Sequence, residues 1–165
     1  MSILRDIFEL TKSNPSRNTV DILGRDLVYD FIWKDGVPVS DINRFEQLNC
    51  IHIPSDYKEF LSYSNGADIF VCDDGNSGYH LFSLDELISE TKWLKEAYEF
   101  PNDNLVFMNM LHSTDFMMFD NINRKIVFGE TAEPTDSWIK FSMDFDYLIL
   151  RLVWSNGNSF WEWYY

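Results

Sequence analysis

Three histidines, a Cys-x-His pair and a turn-rich run of acids are the places where this sequence could do chemistry. His112 and Ser113 stand close before Asp115. These are the residue types of a nucleophile, base and orienting acid, but groups this near in sequence rarely assemble triad geometry. Cys50 and His52 could supply two metal ligands, yet a tetrahedral site needs further donors and no second pair follows. His52 is expected as a partly buried residue at a helix entry. His80 lies between Tyr79 and Leu81 in a stretch that reads as strand. Asp73-Asp74-Gly75-Asn76-Ser77-Gly78 faintly resembles a calcium loop, which needs a bidentate Glu at its twelfth position. That position is Leu84, so the run is expected to be an exposed turn. No Gly-x-Ser-x-Gly elbow, His-Glu-x-x-His helix or phosphate-cradling glycine loop occurs. The expectation is a chain that binds and does not catalyse, with no metal and no cofactor.

The carboxylates offer a different chemistry. Thirteen lysines and arginines stand against twenty-seven acids, a formal net charge of −14. The imbalance is −2 over residues 1–50 and −12 over residues 51–165. Such a surface repels nucleic acid and anionic membranes and steers basic partners inward. Its bland reading is solubility for an aromatic-rich protein. Residues 130–136 hold Glu130, Glu133 and Asp136 with no base, and Pro134 restrains the loop. With Asp73 and Asp74 they are the expected contacts for a basic partner. Asp85, Glu86 and Glu90 are further acids on a helix face.

Elements must position these groups. Residues 2–12 read as a short amphipathic helix, residues 13–18 as a polar linker, and Leu27, Tyr29 and Phe31 alternate as in a strand. A helix from Ser40, its N-cap, carries Ile42, Phe45 and Leu48 inward. Pro54-Ser55-Asp56 opens a second helix with Tyr57, Phe60 and Leu61 on its apolar face, and Asn65-Gly66 ends it. Strands follow at 68–72 and 79–82. Ser83 and Glu86 then form a capping box for a helix to about residue 99. Strands at 105–110, 115–119, 125–128 and 138–141 precede a last helix, whose Leu148, Ile149, Leu152 and Val153 face inward. Five aromatics fill the last seven residues, read as a terminal edge strand. Packed, these rings are core; exposed, they are interface material and the first place to look for a dimer. The order predicts one α+β domain, a mixed, largely antiparallel sheet flanked by helices. Cys50 and Cys72 are expected as small buried hydrophobes and not as a bridge. No apolar run of ~18 residues is present, and Asp6 and Glu9 interrupt the first segment where a secretory leader would be apolar. A cytoplasmic protein is expected.

Phe45-Glu46, then Ile53-Pro54-x-x-Tyr57-x-x-Phe60-Leu61, then Asn65-Gly66 resembles the N-terminal signature of the SUKH superfamily, the Smi/Knr-like proteins. Ile53 stands where that signature usually has Leu. The likeness runs from about residue 39 to 147. It divides the chain into an N-terminal extension at 1–38, helix plus strand, and a SUKH-like domain at 39–165. It implies a mixed sheet flanked by helices. For function it implies an immunity protein that binds the C-terminal domain of a cognate polymorphic toxin, with a nuclease suiting the acidic surface. An intracellular interaction scaffold of the Smi/Knr regulator type is the other function the likeness allows.

Overall fold

A computed structural model of the chain describes residues 2–20, 24, 26–72 and 77–164. Its described residues form five α-helices, a short 3-10 helix and one eight-stranded sheet. The elements run α1 (Ile3–Thr11), β1 (Arg17–Val20), β2 (Asp26–Trp33), α2 (Val39–Asn49), α3 (Ser55–Tyr63), β3 (Ala67–Cys72), β4 (Tyr79–Leu81) and α4 (Leu84–Ala97). After them come β5 (Asn104–Met110), β6 (Phe116–Asp120), β7 (Lys125–Gly129), β8 (Ile139–Phe141), α5 (Phe145–Trp154) and the 3-10 turn (Phe160–Tyr164). Every strand pairs antiparallel with its neighbour in sequence. The α+β class is therefore as expected, but the sheet is a pure meander among the described residues and not mixed. Parallel pairing needs crossover connections, and each helix-bearing insertion here returns the chain beside the strand it left.

Register decides which side chains face which layer. Ala67, Leu81, Met108, Met117, Phe128 and Ile139 align across β3 to β8; all but Ile139 are buried. On this side Tyr57 of α3 meets Phe107, Phe119 and Phe145 at ring-centroid distances of 5.6, 5.5 and 4.9 Å. The adjacent row is Asp68, His80, Asn109, Phe116 and Gly129. Helix α4 covers this second face at β5, where Thr91 Oγ1 accepts the Val106 amide at 2.9 Å. A register shift between Val106 and Met108 turns the bulged Phe107 toward the helical core, its ring stacked on Phe119 at 4.1 Å.

Several local expectations change. Helix α2 begins at Val39, because the Asp41 and Ile42 amides already bond Pro38 O at 2.8 and 3.1 Å. Ser40 is thus inside the first turn and is not the cap. Leu48 is 72% exposed, since the chain turns away at Cys50, a left-handed C-cap at φ 51°. Cys50 itself is consequently exposed, and Cys72 is half-buried; both are free thiols. Helix α3 stops at extended Ser64; Gly66, at φ +92°, instead serves the turn into β3. Part of the predicted linker is strand: Arg17 and Asn18 open β1, paired to β2 despite weak local propensity.

The aromatic tail is not an edge strand. Phe160 and Trp161 are both buried, and neighbours cannot both face inward on a pleated strand. The 3-10 turn lets Phe160 meet Phe141 at 6.1 Å while Trp161 meets Phe128 at 5.0 Å and Tyr79 at 6.0 Å. The two rings are core. The capping box at Ser83 and Glu86 and the inward Leu148, Ile149 and Leu152 of α5 are as expected.

Candidate partner-binding site

A meander sends alternate connections to the same end of the sheet. The β3–β4, β5–β6 and β7–β8 loops therefore share one end, and hydrogen bonds tie their described parts together. Leu111 N donates to Gly78 O at 3.0 Å, and Thr131 N donates to Asp115 Oδ1 at 3.1 Å. The Thr114 and Thr131 hydroxyls share a further bond.

Residues 130–137 carry several hydrogen bonds of their own. Glu133 N donates to Glu130 O and Ser137 N to Pro134 O, each at 3.0 Å. The indole N–H of buried Trp138 closes the loop from beneath, donating to Glu130 O at 3.1 Å and Glu133 O at 3.3 Å. Trp138 is held by Phe116 and Tyr98 at 5.2 and 5.6 Å, and Tyr98 donates to Thr131 O at 2.8 Å. Above this base Glu133 and Asp136 are exposed and Glu130 is half-buried. Among the described residues none of the three carboxylates has an ion pair. Asp73 and Asp74 lie outside the described residues; their described neighbour Ser77 accepts the Cys72 amide at 3.3 Å.

A second charged group was missed as a group by sequence reasoning. His80 Nδ1 meets Asp68 Oδ1 at 2.5 Å and His80 Nε2 meets Glu86 Oε1 at 3.1 Å. Glu86 Oε2 also accepts the Ser83 amide and hydroxyl at 2.8 and 2.6 Å, with Lys34 Nζ at 3.7 Å. The hydrogen bond that His80 makes to the Asp68 carboxylate raises the His80 pKa against the effect of burial. Burial opposes the charge on Glu86, but Ser83 and His80 outweigh it and hold that carboxyl at about 2. With both ring nitrogens taken by carboxylates, His80 has no atom left for a substrate. The signal was present in part, since Asp68 and His80 both interrupt apolar alternation; their pairing needed the register of β3 on β4.

The other candidates stay apart. His52 is exposed rather than partly buried, at 3.4 Å from Glu46. His112 is exposed, and Ser113 donates to Asp115 at 3.0 Å. No group of three His, Cys, Asp or Glu residues is placed to hold a metal ion among the described residues. No described helix is long and apolar enough to cross a membrane.

The signature residues do structural work. Glu46 accepts the Ile53 amide at 2.8 Å and the Lys58 ammonium at 2.6 Å, joining α2 to the start of α3. Burial works against its charge, but Lys58, Ile53 and His52 together hold its carboxyl below the ordinary range. Tyr57 OH, fully buried, reaches Phe82 O at 2.7 Å and Phe107 O at 3.0 Å. Asn65 Oδ1 accepts the Leu84 amide at 3.0 Å, fixing the start of α4. The sequence profile of the SMI1 / KNR4 family (SUKH-1) matches residues 36–162. The chain belongs to the SMI1 / KNR4 family. Two Bacillus subtilis (strain 168) proteins are similar to this SMI1 / KNR4 chain. Uncharacterized protein YobM is 29% identical over 143 residues, 80% of this chain and 74% of the relative. Uncharacterized protein YnaB is 24% identical over 136 residues, 80% of this chain and 87% of the relative. The match extends beyond the expected end near residue 147, because the 3-10 turn carrying Phe160 and Trp161 belongs to the same core. In this SMI1 / KNR4 chain the signature holds the scaffold, and the carboxylate rim lies at the opposite end of the sheet from α2 and α3.

Proposed function

We propose that this chain is a bacterial immunity protein that binds and neutralises a cognate polymorphic toxin domain without catalysis, inside the cytoplasm. The observation that carries the reading is the braced loop at 130–137. Its carboxylates, without an ion pair among the described residues, sit on a base fixed by Trp138, on a molecule of net charge −14. Glu130, Glu133 and Asp136, with Asp73 and Asp74, form the proposed toxin-binding face. A nuclease domain fits that face best, because a groove that holds phosphates must be basic and carboxylates can take their place. A loop backbone already held in place lowers the cost of ordering it on binding.

The test is capture from native cells at low salt, followed by mass spectrometry and kinetics. The expected catch is a large protein with a toxic C-terminal domain, released by raised salt. Neutralising the five acids together should slow its association about tenfold at low salt and flatten the salt dependence. Unchanged kinetics would sink the assignment of the face. Recovery of a stable endogenous complex with no toxin would favour an interaction scaffold of the Smi/Knr regulator type.

A further inference from the structure

The sheet has two lateral edges, β1 and β8, and they are built differently. Phe31 N donates to Pro15 O at 3.2 Å, and Arg17 and Thr19 are registered on Tyr29 and Leu27. Antiparallel bonding alternates along a strand, so positions 15, 17 and 19 face β2. The backbone N–H and C=O groups of Asn18 and Val20 therefore point away from the sheet. Natural edges are usually blunted by lysine, proline or a cover. Arg17 is the only charge on β1, and its guanidinium is folded back onto the carbonyls of Leu10, Asn14 and Ser16. By contrast β8 carries exposed Lys140 at its centre.

The surroundings of β1 are apolar. Leu10 is 67% exposed and Val20 is 55% exposed. Between α1, this edge and α5 lies a groove of about 240 Å³ lined by Ile7, Tyr29, Phe31, Phe70 and Val153. Charge identifies the occupant. Residues 1–50, which supply the edge and α1, carry only −2 of the −14. A basic partner gains little here, whereas a second acidic copy meets least repulsion.

We infer that the chain forms a two-fold dimer by pairing β1 antiparallel with β1 of a second copy. The rotation axis passes through Thr19, so that Asn18 of each copy exchanges both backbone bonds with Val20 of the other. Such an interface is isologous, as two-fold symmetry requires. It covers Leu10 and Val20 along with the groove. The braced loop at 130–137 lies by the opposite edge and stays free in both copies. The dimer goes beyond toxin binding and does not rest on it.

Sedimentation velocity of the full chain, from about 1 to about 200 µM, tests this by mass action. The expected result is a concentration-dependent rise from the 19.6 kDa monomer to twice that mass. Asn18→Pro removes an outward N–H and leaves the bonds to β2 in place; it should weaken dimerisation at least about tenfold. Leu10→Glu changes an exposed side chain of the groove, so it reports even where the proline variant fails to fold, and the same weakening is expected. A monomer throughout the range overturns the proposal, as does a dimer that Leu10→Glu leaves intact.

Discussion

At the residue scale, half-buried His80 and buried Tyr57 show how differently a polar group can be used. His80 is held by Asp68 and Glu86 and its pKa is raised above 6.5. A raised histidine contributes stability that is full below the unfolded value and lost as pH climbs through the folded one. Glu86, lowered to about 2 from 4.5, contributes above 4.5 and loses that contribution as pH falls toward 2. The cluster is therefore strongest between about 4.5 and 6.5. His80→Gln should lower the denaturant midpoint in that window, and the deficit should shrink toward pH 9. A deficit constant across pH would mean that packing, and not charge, is what His80 supplies. Tyr57 is neutral and central, its hydroxyl shared between two carbonyls. Tyr57→Phe takes this donor from Phe82 O, while Phe107 O keeps the Phe82 amide at 2.9 Å; with the ring retained, the expected cost is about 1–3 kcal/mol in urea unfolding.

At the element scale, the informative feature is a loop organised by a side chain that follows it. Trp138 donates to two carbonyls of residues 130–137 while its ring packs on Phe116 and Tyr98. Trp138→Phe should keep most of the packing and lose the N–H. Amide exchange at Glu133 and Ser137 should then quicken with little change in the global unfolding midpoint. Exchange rates unchanged in the variant would show the loop to be braced by its own turns. This organisation was hard to read in advance. Glu130, Glu133 and Asp136 are visible as acids without bases, but nothing local says that a tryptophan beneath them ties the backbone. The helices were more legible: Ser83 with Glu86, and Pro54 before Tyr57, are start signals whose physics is local. The tail was misread because an alternation template assigns neighbouring rings to opposite faces, and the 3-10 turn buries Phe160 and Trp161 together.

At the scale of the whole molecule, fold class followed from the succession of strand and helix signals, whereas the site depended on register. Asp68 and His80 are separated by a segment of turn residues, and only the pairing of β3 on β4 makes them partners. The same holds for Thr131 and Asp115 across the β5–β6 and β7–β8 loops. Family membership was legible for a different reason. Glu46, Tyr57 and Asn65 each satisfy backbone groups of another element, so those identities answer to buried backbone groups that need a hydrogen-bond partner.

That division of labour between the two ends of the sheet has a practical outcome. The residues that bond Ile53, Phe82, Phe107 and Leu84 lie on α2, α3 and the turn before β3. The carboxylate rim hangs from hairpin connections that contribute little to those bonds. A hairpin can exchange its connecting residues as long as its strands keep their register. The framework is thus suited to transplantation: the β5–β6 and β7–β8 connections of one relative, moved as a set with Trp138 retained, should carry recognition into another relative without refolding the host.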